Sequence, residues 1–232
     1  MTFAGKVIRF NESLDLNVPL PSGIRAMNPF REKGSPVPEI ARQFYRQYYL
    51  DNRLRHLILA INPGRLGAGA TGIPFTDTKR LQDVCGISSE IPPTHEPSSV
   101  FVYEMIAAYG GPEAFYKDFY IASVCPLGFV KRNDRGQEVN YNYYDSKELQ
   151  KAVTPFIVSH LKQQLQLGLH HETCICWGKG KNYSFLKRLN EEHRLFGRIL
   201  AVEHPRFIMQ YRARQKEVYL ARHLDALQKM LS

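Results

Sequence analysis

The stretch on which the fold turns is Leu57-Ile58-Leu59-Ala60-Ile61-Asn62-Pro63-Gly64-Arg65-Leu66-Gly67-Ala68-Gly69-Ala70-Thr71-Gly72-Ile73-Pro74-Phe75-Thr76-Asp77. An apolar run of strand length, Leu57–Ile61, stops abruptly at Asn62-Pro63-Gly64. Three more runs behave the same way. Phe119–Val124 ends at Cys125-Pro126-Leu127-Gly128, Thr173–Trp177 at Gly178-Lys179-Gly180-Lys181, and Arg198–Val202 at Glu203-His204-Pro205. Short, nearly continuous apolar runs suit strands buried on both faces. Helical patterns lie around and between them: 38–50, Ser98–Tyr109, a segment from Asp145 towards Leu167, Tyr183–Leu189 and Arg214–Leu231. Asp145 and Glu148 have capping-box spacing, and Pro155 is expected to kink that helix or restart it. Strands alternating with helices predict an α/β fold: three layers, α/β/α, around a central four-stranded parallel sheet.

In such a sheet ligands bind beyond the carboxyl ends of the strands. Proline and glycine terminate strands by themselves, but they do not explain a polar Asn62 and a His204 just past two separate strands. The loop after the first strand is dense in glycine and suits close approach to a ligand. It lacks the Walker phosphate-loop pattern and does not carry a nucleotide-cofactor reading. Phe75 either anchors this loop to the core or offers a stacking plate for a planar ligand. Asp77 either caps the loop or lines the pocket. Trp177 reads as core, and His170 and His171 as exposed at a turn. Tyr141, Tyr143 and Tyr144 either flank the groove or cover the sheet edge. Asp51–Arg55 reads as a link, and 65–97 and 128–145 as the long connections. Residues 1–36, rich in turn formers, read as an extended N-terminal arm packed on a single domain spanning 37–232.

The 232-residue chain is 44% hydrophobic and carries a net charge of +9, which excludes a disordered chain and favours a polyanionic partner. Between Gly178 and Lys216 ten Lys and Arg face three acids, so the excess is concentrated near the Gly-Lys-Gly-Lys loop and His204. The segment after Pro205, Arg206 to Arg214, is basic and aromatic, which suits an insert that enters a duplex and contacts phosphates. The four cysteines, Cys85, Cys125, Cys174 and Cys176, form no CxxC, so reduced buried thiols are expected, with no metal and no cofactor. No signal segment and no membrane-spanning run is legible, and a cytoplasmic setting is expected.

Asn62-Pro63-Gly64 with Gly67, Thr71-Gly72 and Pro74-Phe75, then Cys125-Pro126-Leu127, Gly178-x-Gly180 and His204-Pro205, resembles the uracil-DNA glycosylase superfamily. Within it the resemblance is to the single-strand-selective monofunctional (SMUG-type) branch and its bacterial second subfamily. It runs collinearly from about residue 55 to residue 228. The resemblance implies a monofunctional DNA repair glycosylase that hydrolyses the N-glycosidic bond of a uracil flipped out of DNA and leaves an abasic site. It implies Asn62 and His204 as catalytic residues, the first holding the attacking water and the second donating to the uracil O2. It implies Ile61, Gly64, Phe75 and Ser123 around the base. Lys179, Lys181, Arg206, Gln210 and Arg212 would contact single- or double-stranded DNA, by a monomer that needs no membrane and acts on a bacterial nucleoid. Two positions depart from the family. Ser123 stands where the branch carries a base-reading Asn, and a hydroxyl cannot make the paired amide contact. Arg206-Phe207-Ile208-Met209 replaces the usual wedge, for which Arg206, Phe207, Met209, Gln210 and Arg212 are the candidates. The alternatives are a glycosylase for another base, such as xanthine or hypoxanthine, and a catalytically weak nucleic-acid-binding module.

Overall fold

The computed structural model describes residues 1–231. Its strands are β1 (Ile24–Met27), β2 (Arg55–Ala60), β3 (Phe119–Ser123), β4 (Gly128–Arg132), β5 (Glu138–Tyr141), β6 (Leu169–Trp177) and β7 (Arg198–Val202). Its helices are α1 (Phe3–Ser13), α2 (Val37–Tyr48), α3 (Ala68–Thr71), α4 (Thr78–Asp83), α5 (Pro97–Tyr109), α6 (Pro112–Asp118), α7 (Lys147–Leu165), α8 (Lys181–His193), α9 (Pro205–Tyr211) and α10 (Lys216–Leu231).

The central sheet has the order β3-β2-β6-β7, and every pairing in it is parallel. Leu57, Ile58 and Leu59 are consecutive and all fully buried. Successive strand side chains point to opposite faces, so both faces of the sheet are covered by helices. The registers Ala60↔Ser123 and Trp177↔Val202 align the strand ends. The four breaks read from the sequence therefore open on one edge of the sheet. β6 begins four residues earlier than its apolar run, because its first half (His170–Glu172) is partly or fully solvent-facing and carries polar residues.

Several segments differ from their sequence reading. Residues 1–36 are not an extended arm. Residues 3–13 form α1, capped by Thr2 Oγ1 accepting from the Gly5 N–H, and α1 packs on α2. The Phe3 and Ala4 amides donate to Asp51 O and Tyr49 O, at 2.7 and 2.9 Å. The supposed link 51–55 supplies the partner for this helix. Arg55 is fully buried, donates to Tyr116 O (2.9 Å) and Asp51 Oδ1 (2.8 Å), and lies over the rings of Phe3 (4.7 Å) and Tyr49 (4.8 Å). A buried guanidinium with this many partners is a core anchor. The connection 128–145 is the hairpin β4–β5, which joins β1 in a small antiparallel sheet. The connection 65–97 contains α3 and α4. The cap of α7 is Ser146, whose Oγ accepts from the Leu149 N–H, rather than Asp145, and α7 runs unbroken through Pro155. The four cysteines are free and buried.

Candidate active site

Asn62 follows β2 at the shared edge, and its amide is clamped. Its Oδ1 accepts from the Tyr143 N–H at 3.1 Å, and its Nδ2 donates to Tyr141 O and Pro63 O at 3.4 and 3.3 Å. The clamp comes from the end of the β4–β5 hairpin, within the stretch 128–145 expected as a long connection. Gly128 makes the close approach possible, since a Cβ there would collide with Pro63 O. Tyr143 is in turn buried and donates through its hydroxyl to Asn182 Oδ1 (2.8 Å), whose Nδ2 donates to Trp177 O (3.0 Å). The Asn62 side chain is thus oriented through two tiers of hydrogen bonds reaching α8.

The glycine-rich loop spells Gly-x-Gly-x-x-Gly at 67–72. It begins well past the strand and leads into the one-turn helix α3, and Gly67 N and Gly69 N both donate to Gly64 O, so it is not a dinucleotide turn. Fully buried Thr71 stitches the loop's far end. Its Oγ1 donates to Thr76 O at 2.6 Å and accepts from the Ile73 N–H at 3.2 Å. This network holds Phe75 at φ 53°, a strained value for a residue with a side chain. The strain places the ring edge-on to Trp177, 4.9 Å away, and 5.6 Å from the His204 ring. Phe75 is therefore both an anchor against Trp177 and a neighbour of His204. Asp77 is a cap: buried, it accepts from Arg80 N (2.9 Å), Glu96 N (2.8 Å) and Ser99 Oγ (2.8 Å).

His204 is the N-cap of α9. Its Nδ1 accepts from the Arg206 N–H at 3.0 Å, so the neutral ring carries its proton on Nε2. Burial, then the charges of Arg206 and His223, push its pKa down to about 3. The ring is a neutral N–H donor at any working pH. Residues 206–211, expected as an insert, form helix α9 packed on α5.

The remaining candidates divide. Ile61 O accepts from the Cys125 N–H (3.1 Å) and Gly64 O from two loop amides, so these carbonyls are committed to the fold. Ser123 ends β3 nearly buried. It borders a cavity of about 40 Å³ walled by Pro63, Gln164, Phe10 and Asn11 of α1, and Leu14 just past it. Lys179 is paired with Glu203 at 3.0 Å, whereas Lys181 lies 5.9 Å above the Tyr144 ring with no ion-pair partner among the described residues. Arg206 and Gln210 are exposed on α9. Arg212 stacks on Phe207 at 5.6 Å, and Phe207 on Tyr211 at 5.7 Å. Tyr211 belongs to the basic, aromatic segment but not to the wedge candidates; it is 60% exposed and stands i, i+4 from Phe207.

A parallel α/β sheet with a clamped Asn, a Phe ring held in place and a neutral His at one edge is the architecture of a base-excising glycosylase. The family model of the Uracil DNA glycosylase superfamily matches residues 47–228, and the chain belongs to that family. Within it the likeness is to the SMUG-type branch. The structure of wild-type SMUG2 from Pedobacter heparinus is 53% identical, with a TM-score of 0.96 over 99% of this chain and 98% of that one. The single-strand selective monofunctional uracil-DNA glycosylase of Rattus norvegicus is 26% identical over 151 residues, covering 57% of this chain and 52% of the relative. The chain thus matches about half the length of that curated relative.

Proposed function

We propose that the protein is a monofunctional DNA glycosylase. It hydrolyses the N-glycosidic bond of a uracil turned out of DNA and leaves an abasic site. The observation that carries this is the convergence of Phe75 and the neutral His204 ring, 5.6 Å apart, on the edge where Asn62 is clamped. The base stacks on Phe75. As the glycosidic electron pair moves onto the base, the Nε2–H of His204 donates to the developing anion, the type of interaction that usually contributes most to catalysis. Asn62 is neutral and cannot remove a proton early. It positions water for a sugar that already carries positive charge, which makes the reaction dissociative. On α9 the exposed Phe207–Tyr211 pair, backed by Arg212, fills the gap left by the flipped nucleotide, and Arg206 and Lys181 contact phosphates.

Ser123 supports a second reading at the level of base range. One hydroxyl cannot impose the two-point selection for uracil that an amide would, so other deaminated bases such as xanthine or hypoxanthine compete. The deciding experiment is release of free base from single- and double-stranded oligonucleotides carrying each lesion, with Asn62→Ala as control. Uracil release that vanishes in the control supports the proposal. Salt-sensitive binding with no product from any lesion overturns it in favour of a binding module. A gain in uracil release by Ser123→Asn supports the base-range reading. We also propose that the enzyme acts as a monomer in the bacterial cytoplasm.

A further inference from the structure

Glu96 is the N-cap of α5, and its backbone is fully engaged. Its N–H donates to Asp77 Oδ2 (2.8 Å), and its carbonyl accepts from Ser99 N (2.9 Å) and Ser99 Oγ (2.7 Å). This anchoring aims the side chain at the loop that follows Asn62. The carboxyl lies flat on two glycines of that loop. A Cβ on Gly64 would come 3.2 Å from Oε1, and a Cβ on Gly67 would collide with Oε2. The Asn140 Nδ2, from the hairpin that clamps Asn62, lies 3.8 Å from the same Gly64 position. Despite this close seating, the carboxyl takes part in no hydrogen bond or ion pair among the described residues; only Asp77 and Arg206 reach it through their charge. The neighbouring Asp77 is the reverse case, with every oxygen taken by the fold. Two glycines therefore make room for a carboxyl that the folded chain does not use.

We infer that Glu96 is a further functional residue of the reaction. Its carboxylate faces the deoxyribose of the flipped nucleotide and stabilises the positive charge that develops there as the C1′–N bond breaks. The inference rests on the glycosylase reading. In that reaction the bonding pair leaves with the base, and the His204 Nε2–H donates a hydrogen bond to the anion that forms there. The sugar is left cationic until water adds and gives up its proton to solvent. Asn62 can orient that water but has no negative charge to offer the cation. Glu96, seated on the same loop, supplies it, and the charge is worth most where water is excluded.

The charges facing Glu96 are Asp77 at the start of α4 and Arg206 on α9; His95 and Arg80 sit beyond Asp77. Burial, then Asp77, raise the Glu96 pKa to about 7 against the opposing pull of Arg206. The active, ionised form is thus gained as pH rises through neutrality. His204, neutral above about 3, does not contribute to that rise.

The test is single-turnover release of uracil across the neutral pH range, for wild type and Glu96→Gln, with DNA affinity and Tm measured alongside. The wild-type rate should climb through neutrality. Glu96→Gln should lose the climb and fall roughly 10- to 100-fold at the alkaline end, with DNA affinity and Tm unchanged. A Glu96→Gln enzyme with the wild-type rate and profile overturns the inference. So does a loss of rate matched by an equal loss of affinity with the profile retained. If Glu96→Gln does not fold, a wild-type profile flat through neutrality overturns it alone. Wild type releasing no base from any lesion is a different result, and it removes the glycosylase reading together with the inference.

Discussion

The loop after β2 and the helix after β7 flank the same edge of the sheet, and they are built in opposite ways. In the loop the side chains around the proposed site are held, Glu96 excepted: Asn62 by the hairpin, Phe75 through the Thr71 network, Asp77 by four donors. On α9 Phe207, Gln210 and Tyr211 are exposed, as is Arg212 just past it, and the Arg206 side chain has no ion-pair partner among the described residues. Preorganisation lowers a barrier because the groups need not reorganise when charge develops. A surface that follows DNA needs free charge and aromatic area instead. The contrast predicts that substitutions in the loop and at His204 act on the chemical step, and that substitutions farther along α9 act on binding.

The largest effect belongs to the held side. His204→Ala removes the donor to the departing base and should slow single-turnover release roughly 10²- to 10³-fold while leaving DNA affinity intact. Asn62→Ala should fall in the same range. Because burial keeps His204 neutral down to about pH 3, the wild-type rate should show no loss from its protonation anywhere between neutrality and mild acid. A His204-dependent fall on that limb would show that the ring works as an imidazolium. Affinity lost in step with rate in either Ala variant would erase the division between the two regions.

Tyr143→Phe tests whether the clamp on Asn62 matters. The substitution keeps the ring and the main-chain donor but removes the 2.8 Å hydrogen bond to Asn182, leaving a buried Oδ1 unpaired. The expected cost is about 1–3 kcal/mol in denaturant unfolding, with a smaller fall in base-release rate. Unchanged stability would show that Asn182 finds another donor.

The parts of this site differed in legibility for a physical reason. Strand ends were readable because apolar runs buried on both faces stop at Pro and Gly, as at Asn62-Pro63-Gly64 and His204-Pro205. The clamp on Asn62 was not, because it uses the main chain of Tyr141 and Tyr143, which every sequence possesses. Residues 1–36 hid a helix because α1 is stabilised by tertiary partners, Arg55 and Tyr49, rather than by its own propensity. Glu96 is not legible because its distinguishing feature, two glycines beneath its carboxyl, is a tertiary contact with a loop about thirty residues away.

On the free side, Phe207→Ala with Tyr211→Ala should weaken duplex binding by about 1–3 kcal/mol and leave the chemical step under saturating enzyme unchanged. Both rings are surface-exposed, so stability should move by no more than about 0.5 kcal/mol. A lost chemical step with intact affinity would place these rings in the pocket and break the comparison from the other end.

The smallest effects separate two lysines around the start of α8. Among the described residues Lys181 has no carboxylate partner, so contact with a phosphate releases a counterion at no internal expense. Lys181→Ala should lower the slope of log affinity against log salt by about 1. Lys179 is held by Glu203, whose carboxylate also lies 3.8 Å from Arg222; burial pushes its pKa up, but the Lys179 hydrogen bond and the nearby charges together hold it below its ordinary value. To reach DNA, Lys179 must leave a partly buried Glu203 with only Arg222 nearby. Lys179→Ala should therefore change the slope by less than Lys181→Ala. It should instead cost a few tenths of a kcal/mol of stability, a loss that appears above the range where Glu203 ionises and fades as acid protonates it. Equal slope changes for the two lysines would mean that DNA breaks the Glu203 pair, and the boundary between held and free would then have to be drawn on the far side of Lys179.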